Sequence, residues 1–272
     1  MSYTVSTNTE QTISPISFPY LRKFNLSMGI LHLIQGLLML TLGFLLEFER
    51  DIYTFYLKFE GEAESGFTIT PNPEILFTFS FVGPLVALFL LLSALAHLLI
   101  AFPLNRYYEE NLQRKMNPIR WFEYALSSSV MIVFIAILFG VWDFWALVMI
   151  FVLNALMNMF GFLMEKINEG KDKVDWTPYI LGVIAGILPW IVITAFFVNI
   201  TVVGGEVPWF VYWIYFVEFF FYNTFAINML LQYKKVGPWK DYLYGERGYQ
   251  ILSLVSKTAL AWLVFAGLFQ PN

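Results

Sequence analysis

Ser253-Leu-Val-Ser256-Lys257-Thr258-Ala-Leu-Ala-Trp262 sets one lysine deep inside the last apolar stretch of the chain, residues 248–269. A lysine at mid-membrane costs about 2.5–3.5 kcal/mol on insertion scales. It persists there when it is paired, reaches water or is covalently modified. Six further apolar stretches precede it, at 21–46, 75–102, 119–141, 144–164, 178–200 and 209–231. Each is long enough to cross a hydrocarbon core of about 30 Å as a helix. The expected fold is an all-α membrane protein, a bundle of seven transmembrane helices.

Composition agrees. Of 272 residues, 58% are hydrophobic and 13% charged, against about 25% charged in soluble domains. The spans occupy most of residues 1–272, so one domain is expected and no soluble catalytic domain has room. No nucleophile–base constellation stands out, and the chain reads as a non-enzyme. The absence of cysteine excludes disulfides, thiolate metal sites and cysteine nucleophiles. The first 20 residues are polar and lack the apolar core of a cleavable signal. Nothing in the charge pattern points to nucleic acid.

Basic residues orient the chain. With the N-terminus in the cytoplasm, that side holds Arg22, Lys23, Arg106, Arg114, Lys115, Arg120, Lys166, Lys171, Lys173, Lys234, Lys235, Lys240 and Arg247. The outer side holds Arg50 and Lys58. The C-terminus then lies outside. The longest outer connection, 47–74, carries the aromatic and β-branched runs 51–59 and 67–70 around a Glu/Gly-rich turn at 60–66, the pattern of a small β-hairpin between the first two helices. The other outer connections, near Trp142-Asp143 and at 201–208, are short. Pro84 and Pro189 are expected to kink the second and fifth spans, which neighbouring helices accommodate.

Glu123, inside the third span, is the natural partner of Lys257. Both spans begin on the cytoplasmic side, and side chains lean toward the helix N-terminus, so the two groups can meet at similar depth. Two readings fit. One is a structural buried ion pair. In the other, Lys257 condenses with a carbonyl compound, and Glu123 is the anion that keeps the resulting imine protonated in low dielectric. With seven helices, the second reading points to retinal.

Polar residues at helical spacing surround the pair. Arg120 shares a face with Glu123 and either orients its carboxylate or anchors the helix at the interface. Ser253, four residues before Lys257, lies over the path of the amine. Ser127, Ser128 and Ser129 serve either a polar network or close helix packing. His32 and Gln35 share a face of the first span, and His97 lies near the cytoplasmic end of the second. The histidines are proton-acceptor candidates or hydrogen-bonded structural residues, and with no third ligand they make no metal site. Glu218 is a second buried acid, of undecided role. Trp213, Tyr215, Phe219, Phe220, Tyr222 and Trp262 are candidates to wall a slot for a polyene.

The runs Asn117-Pro-Ile-Arg120-Trp-Phe-Glu123-Tyr-Ala-Leu-Ser-Ser-Ser129 and Ser253-Leu-Val-Ser-Lys257, with Trp262, resemble the heliorhodopsins, retinal proteins of inverted membrane topology. The resemblance covers all seven spans and the long outer loop. It implies a rhodopsin-like bundle carrying all-trans retinal on Lys257, with Glu123 as counterion, Ser253 beside the imine and Trp262 near the retinal. It makes His32, Gln35, His97 and Arg120 the polar, proton-accepting network. It further implies a light-absorbing photoreceptor of the cell membrane with a slow photocycle, generally without ion pumping. The expected partners are membrane lipid, a second copy in a homodimer and a signalling partner the sequence does not name. The alternative is a light-driven or light-gated ion transporter, which Glu218 keeps in view as a second proton site.

Overall fold

The computed structural model describes residues 16–45, 48–61, 66–204 and 206–269. Seven helices are long and apolar enough to cross a membrane: α1 (Phe18–Gly43), α2 (Val82–Ala101), α4 (Pro118–Leu138), α5 (Phe144–Ile167), α6 (Thr177–Val203), α7 (Trp209–Tyr233) and α8 (Tyr242–Leu268). Strands β1 (Arg50–Glu60) and β2 (Thr68–Phe79) form the hairpin between α1 and α2. A short polar helix, α3 (Asn105–Gln113), follows α2. The polar N-terminal segment to residue 15 and turn residues 62–65 lie outside the described residues.

Local chemistry fixes the helix starts. Ser17 caps α1 by accepting from the Tyr20 amide, and Asn117 caps α4 by accepting from that of Arg120. Asp143 accepts from the Ala146 amide at 2.7 Å to cap α5, and Asp241 from that of Leu243 at 2.9 Å to cap α8. Each carboxylate, hydroxyl or amide oxygen satisfies a backbone donor that has no partner within the first turn.

The second span departs from expectation. Residues 75–79 belong to strand β2, and α2 begins only at Val82. Ile75-Leu-Phe-Thr-Phe79 is apolar enough to merge with the helix on hydropathy, but its branched and aromatic side chains suit a strand. Pro84 consequently falls in the first turn of α2, where its missing N–H leaves no hydrogen bond broken; the expected mid-helix kink does not arise there. Pro189 is interior to α6, which continues through it. At the other end of the chain, α8 starts at Tyr242, six residues before the expected span, and so brings Glu246 into the helix.

The hairpin pairs antiparallel from Arg50↔Phe79 to Glu60↔Thr68, with a bulge between Ile52 and Tyr53. Its base is fastened to the α4–α5 turn: the Tyr53 amide donates to Trp142 O at 2.8 Å, and Trp145 Nε1 donates to Thr54 Oγ1 at 3.2 Å. Ile52 and Phe79 are buried in the main apolar core with Phe134, Phe139, Ile193 and Leu260. That core fills the hairpin end of the bundle. The opposite end, beside α3, is where polar residues are buried.

Candidate functional site

Lys257 and Glu123 come together in the bundle interior. Lys257 Nζ lies 3.5 Å from Glu123 Oε1, with side chains 3% and 8% exposed. Nζ also donates to Ser253 Oγ at 3.0 Å and stands 5.2 Å from the Tyr124 ring centre, within cation–π range. Ser253 can do this because residues four apart stack on one helix face. Glu123 accepts a further hydrogen bond, from Ser93 Oγ of α2 at 2.6 Å. The sequence alone does not single out Ser93, although it precedes His97 by four residues on the same face.

Two cavities meet at this pair. An apolar one has Lys257 and Ser256 in its wall, with Tyr124, Met131, Gly161, Tyr222 and Phe225 among the residues around it. On the Glu123 side is a small polar cavity of ≈ 20 Å³, bordered by Asn25, His97, Asn117, Arg120, Glu246 and Gln250. That size admits about one water among several polar partners.

The histidines stack, ring centres 5.4 Å apart. His97 Nδ1 lies 2.8 Å from Asn25 Oδ1, and His32 Nδ1 lies 2.9 Å from Met28 O. The Asn25 amide is oriented by its own Nδ2, which donates to Leu21 O at 2.8 Å. Both imidazoles therefore face pure acceptors through Nδ1, which must carry a hydrogen, and Nε2 is left to accept. His32 Nε2 has no partner among the described residues. Gln35, one turn along, is half-buried with Oε1 also unpartnered.

Arg120 does not orient Glu123. Its guanidinium is buried between Glu165 of α5 and Glu246 of α8, paired with both, and sits over the Tyr249 ring at 4.1 Å. Position along α4 brings Arg120 and Glu123 one turn apart, but the carboxylates supplied by α5 and α8 are nearer than its own neighbour. Glu165 also accepts from Trp121 Nε1 (2.7 Å) and Tyr242 OH (3.1 Å). Glu246 accepts from Asn117 Nδ2 (2.8 Å), Tyr108 OH (3.1 Å) and Gln250 Nε2 (3.2 Å). A hydrogen-bonded run thus extends from His97 through Asn25, Tyr108 and Glu246 to Arg120 and Glu165. Sequence reading misses Glu246, yet Glu246, Gln250, Ser253 and Lys257 form a polar stripe at helical spacing.

Trp262 is also displaced from its expected place. Five residues beyond Lys257 it is turned about 140° around the helix, and it is 45% exposed. Trp213 and Phe220 likewise face outward, at 57% and 62% exposed. The aromatic wall is instead built by Tyr124, Tyr222 and Phe225 at the cavity, with Trp190 of α6 packed against Tyr215, Phe219 and Tyr222. Ser128 and Ser129 accept from Asn154 Nδ2 at 2.8 and 3.0 Å, tying α4 to α5.

Seven membrane-length helices around one buried lysine, opposed by a carboxylate and opening on an apolar cavity, define a protein of the rhodopsin class. The chain belongs to the heliorhodopsin family, whose model matches residues 21–269. A search of curated proteins gave no match. Membership makes this a membrane-embedded, light-sensing protein with a retinal chromophore on a lysine, in a family that is not a known enzyme class. The residues present fit such a group: a primary amine stands in the wall of an apolar cavity, with a carboxylate 3.5 Å away to balance a positive nitrogen.

Proposed function

We propose that the protein is a retinal photoreceptor in which Lys257 holds all-trans retinal by a protonated Schiff base and Glu123 is the counterion. The observation that carries this reading is the buried Lys257 amine, between Glu123 at 3.5 Å and the apolar cavity. Retinal supplies light absorption and isomerisation when bound. The chain's own residues do the rest. Glu123 balances the positive nitrogen, and Ser93 holds the carboxylate by donating to it. Ser253 accepts from the nitrogen and fixes its direction. Tyr124, Met131, Tyr222 and Phe225 exclude water from the apolar side.

His32, Gln35 and His97 form the group toward which a proton leaving the nitrogen moves. The bare Nε2 of His32 and the unpartnered Oε1 of Gln35 supply lone pairs, Nε2 of His97 is the accepting nitrogen of its ring, and the run through Asn25, Tyr108 and Glu246 spreads the charge toward the α3 end. Among the described residues no hydrogen-bonded run of this kind leads toward the hairpin end, where the core is aliphatic and aromatic and the buried acid Glu218 has no hydrogen-bond partner. This one-sidedness supports light sensing through a slow conformational change rather than ion pumping. The excess of basic residues in the connections at the α3 end supports a cytoplasmic α3 end and an outer hairpin. A homodimer in the lipid bilayer, coupled to a signalling partner, completes the reading.

The test is a visible spectrum of purified protein after addition of all-trans retinal, beside Lys257→Ala and Glu123→Gln. A red-shifted band that hydroxylamine bleaches, missing from Lys257→Ala and displaced in Glu123→Gln, is the expected result. A spectrum of free retinal in wild type refutes the pigment. A sustained, ionophore-sensitive pH change in illuminated cells would instead establish light-driven transport.

A further inference from the structure

Glu218 takes no part in the site described above. It is fully buried in α7, 0% exposed. Neither of its carboxyl oxygens has a hydrogen-bond partner among the described residues, whereas Glu123, Glu165 and Glu246 each accept from named donors.

Its height is fixed by the packing of α7 on α8. Asn228 Nδ2 donates to Gly245 O at 3.1 Å near one end, and a Cβ on Gly267 would meet the Phe210 ring near the other. Interpolation between these contacts sets Glu218 level with Lys257. The two helices run in opposite directions, and side chains lean toward their own N-terminus. Lys257 accordingly reaches toward the α3 end, to Ser253 and Glu123, while Glu218 leans toward the hairpin end. The two acids thus flank the lysine along the bundle axis, Glu123 toward the α3 end and Glu218, on the adjoining helix, toward the hairpin end.

The surrounding groups settle what form this acid takes. The titratable groups around it are Lys257, level with it on α8, and Tyr215 and Tyr222, one turn to either side on α7. From α6 comes Trp190, packed on Tyr215, Phe219 and Tyr222, with its own Nε1 unpartnered. From the C-terminal cap of α4 comes Phe139, packed on Tyr215. Neither carries a charge. Lys257 supplies one positive charge and Glu123 already balances it. A second carboxylate would be uncompensated in a membrane interior, where unpaired charge is strongly disfavoured.

We propose that Glu218 is a second proton-binding site of this photoreceptor, on the hairpin side of Lys257, which holds its proton in the dark and releases it to solvent only at alkaline pH, where its carboxylate becomes a second anion beside Lys257. The proton balance is simple: the neutral acid gives one proton to bulk hydroxide and leaves one negative charge. The optical part of the proposal rests on the retinal reading; the protonation itself does not.

The experiment has two arms. The first is infrared absorption of the retinal-free protein at neutral pH, wild type minus Glu218→Gln, in H2O and D2O. The expected difference is a protonated-carboxyl C=O band that shifts down in D2O and is lost in the variant. Loss of carboxylate bands instead, or no difference in the C=O region, overturns the proposal. The second arm titrates the visible band of the retinal-loaded protein to alkaline pH. Wild type is expected to show a shift to shorter wavelength that Glu218→Gln lacks, and an identical shift in both overturns it. A wild type that takes up no retinal refutes the photoreceptor reading, and the infrared arm then decides the protonation by itself. Should Glu218→Gln fail to fold, Glu218→Asp replaces it: a displaced C=O band supports the assignment, and an unmoved one overturns it.

Discussion

Replacing Arg120 by Gln tests the buried charge cluster most directly. The arginine is 4% exposed and paired with Glu165 and Glu246, each 1% exposed in its side chain. Removing one partner of a buried ion pair costs about 3–5 kcal/mol, because the remaining charge is left uncompensated. Here two carboxylates lose their common cation, and the guanidinium also leaves the Tyr249 ring. Taking about 4 kcal/mol, and about 2–4 °C per kcal/mol for a chain of this size, thermal loss of the visible band should move down by roughly 10 °C. The assay is a melt of retinal-loaded protein in detergent or bicelles. Neutralising all three partners, Arg120→Gln with Glu165→Gln and Glu246→Gln, should restore more than half of the loss, since a neutral hydrogen-bonded cluster strands no charge. A single variant melting within about 3 °C of wild type would refute the reasoning, as would a triple variant no better than the single.

Ser93→Ala removes a donor 2.6 Å from Glu123 and should shift the absorption maximum without preventing pigment formation, as a visible spectrum will show. Trp262→Ala, on an outward face, should leave that maximum unchanged; a displaced band would contradict its placement. Arg114 beside Glu169 holds the carboxyl of that residue below its ordinary value near 4.5, by hydrogen bonding first and by charge. A lowered value in the folded state means the pair contributes above the ordinary carboxylate range and is lost on acidification. Glu169→Gln should therefore melt slightly below wild type at neutral pH, and thermal melts of the two should converge as the pH falls through and below that range.

Hydropathy exposes the bundle because each span has only to be apolar and long enough, and the positions of Lys257, Ser253 and Glu123 follow from helix spacing. What the sequence conceals depends on distant chain segments. The partners of Arg120 lie 45 and 126 residues away, and local spacing offers only Glu123. The start of α2 is hidden because a strand of Ile, Leu and Phe adjoins a helix of the same hydropathy. Helix α3 is short and polar, and its burial of Tyr108 and Leu112 is a tertiary effect. Trp262 shows the reverse: its outward angle follows from a five-residue step, but family likeness draws it toward the retinal.

The fastening of the hairpin to the α4–α5 turn makes it a lever. Ten residue steps at about 3.3 Å carry the paired strands roughly 33 Å from Arg50 to Glu60. The attachments at Tyr53 and Thr54 are near the base and leave a free arm of roughly 20 Å to Glu60, so a tilt of α5 by about 5° would carry the far end by roughly 2 Å. Displacements too small to see inside the bundle would be magnified in the ribbon, the natural place for a distance label that reports them.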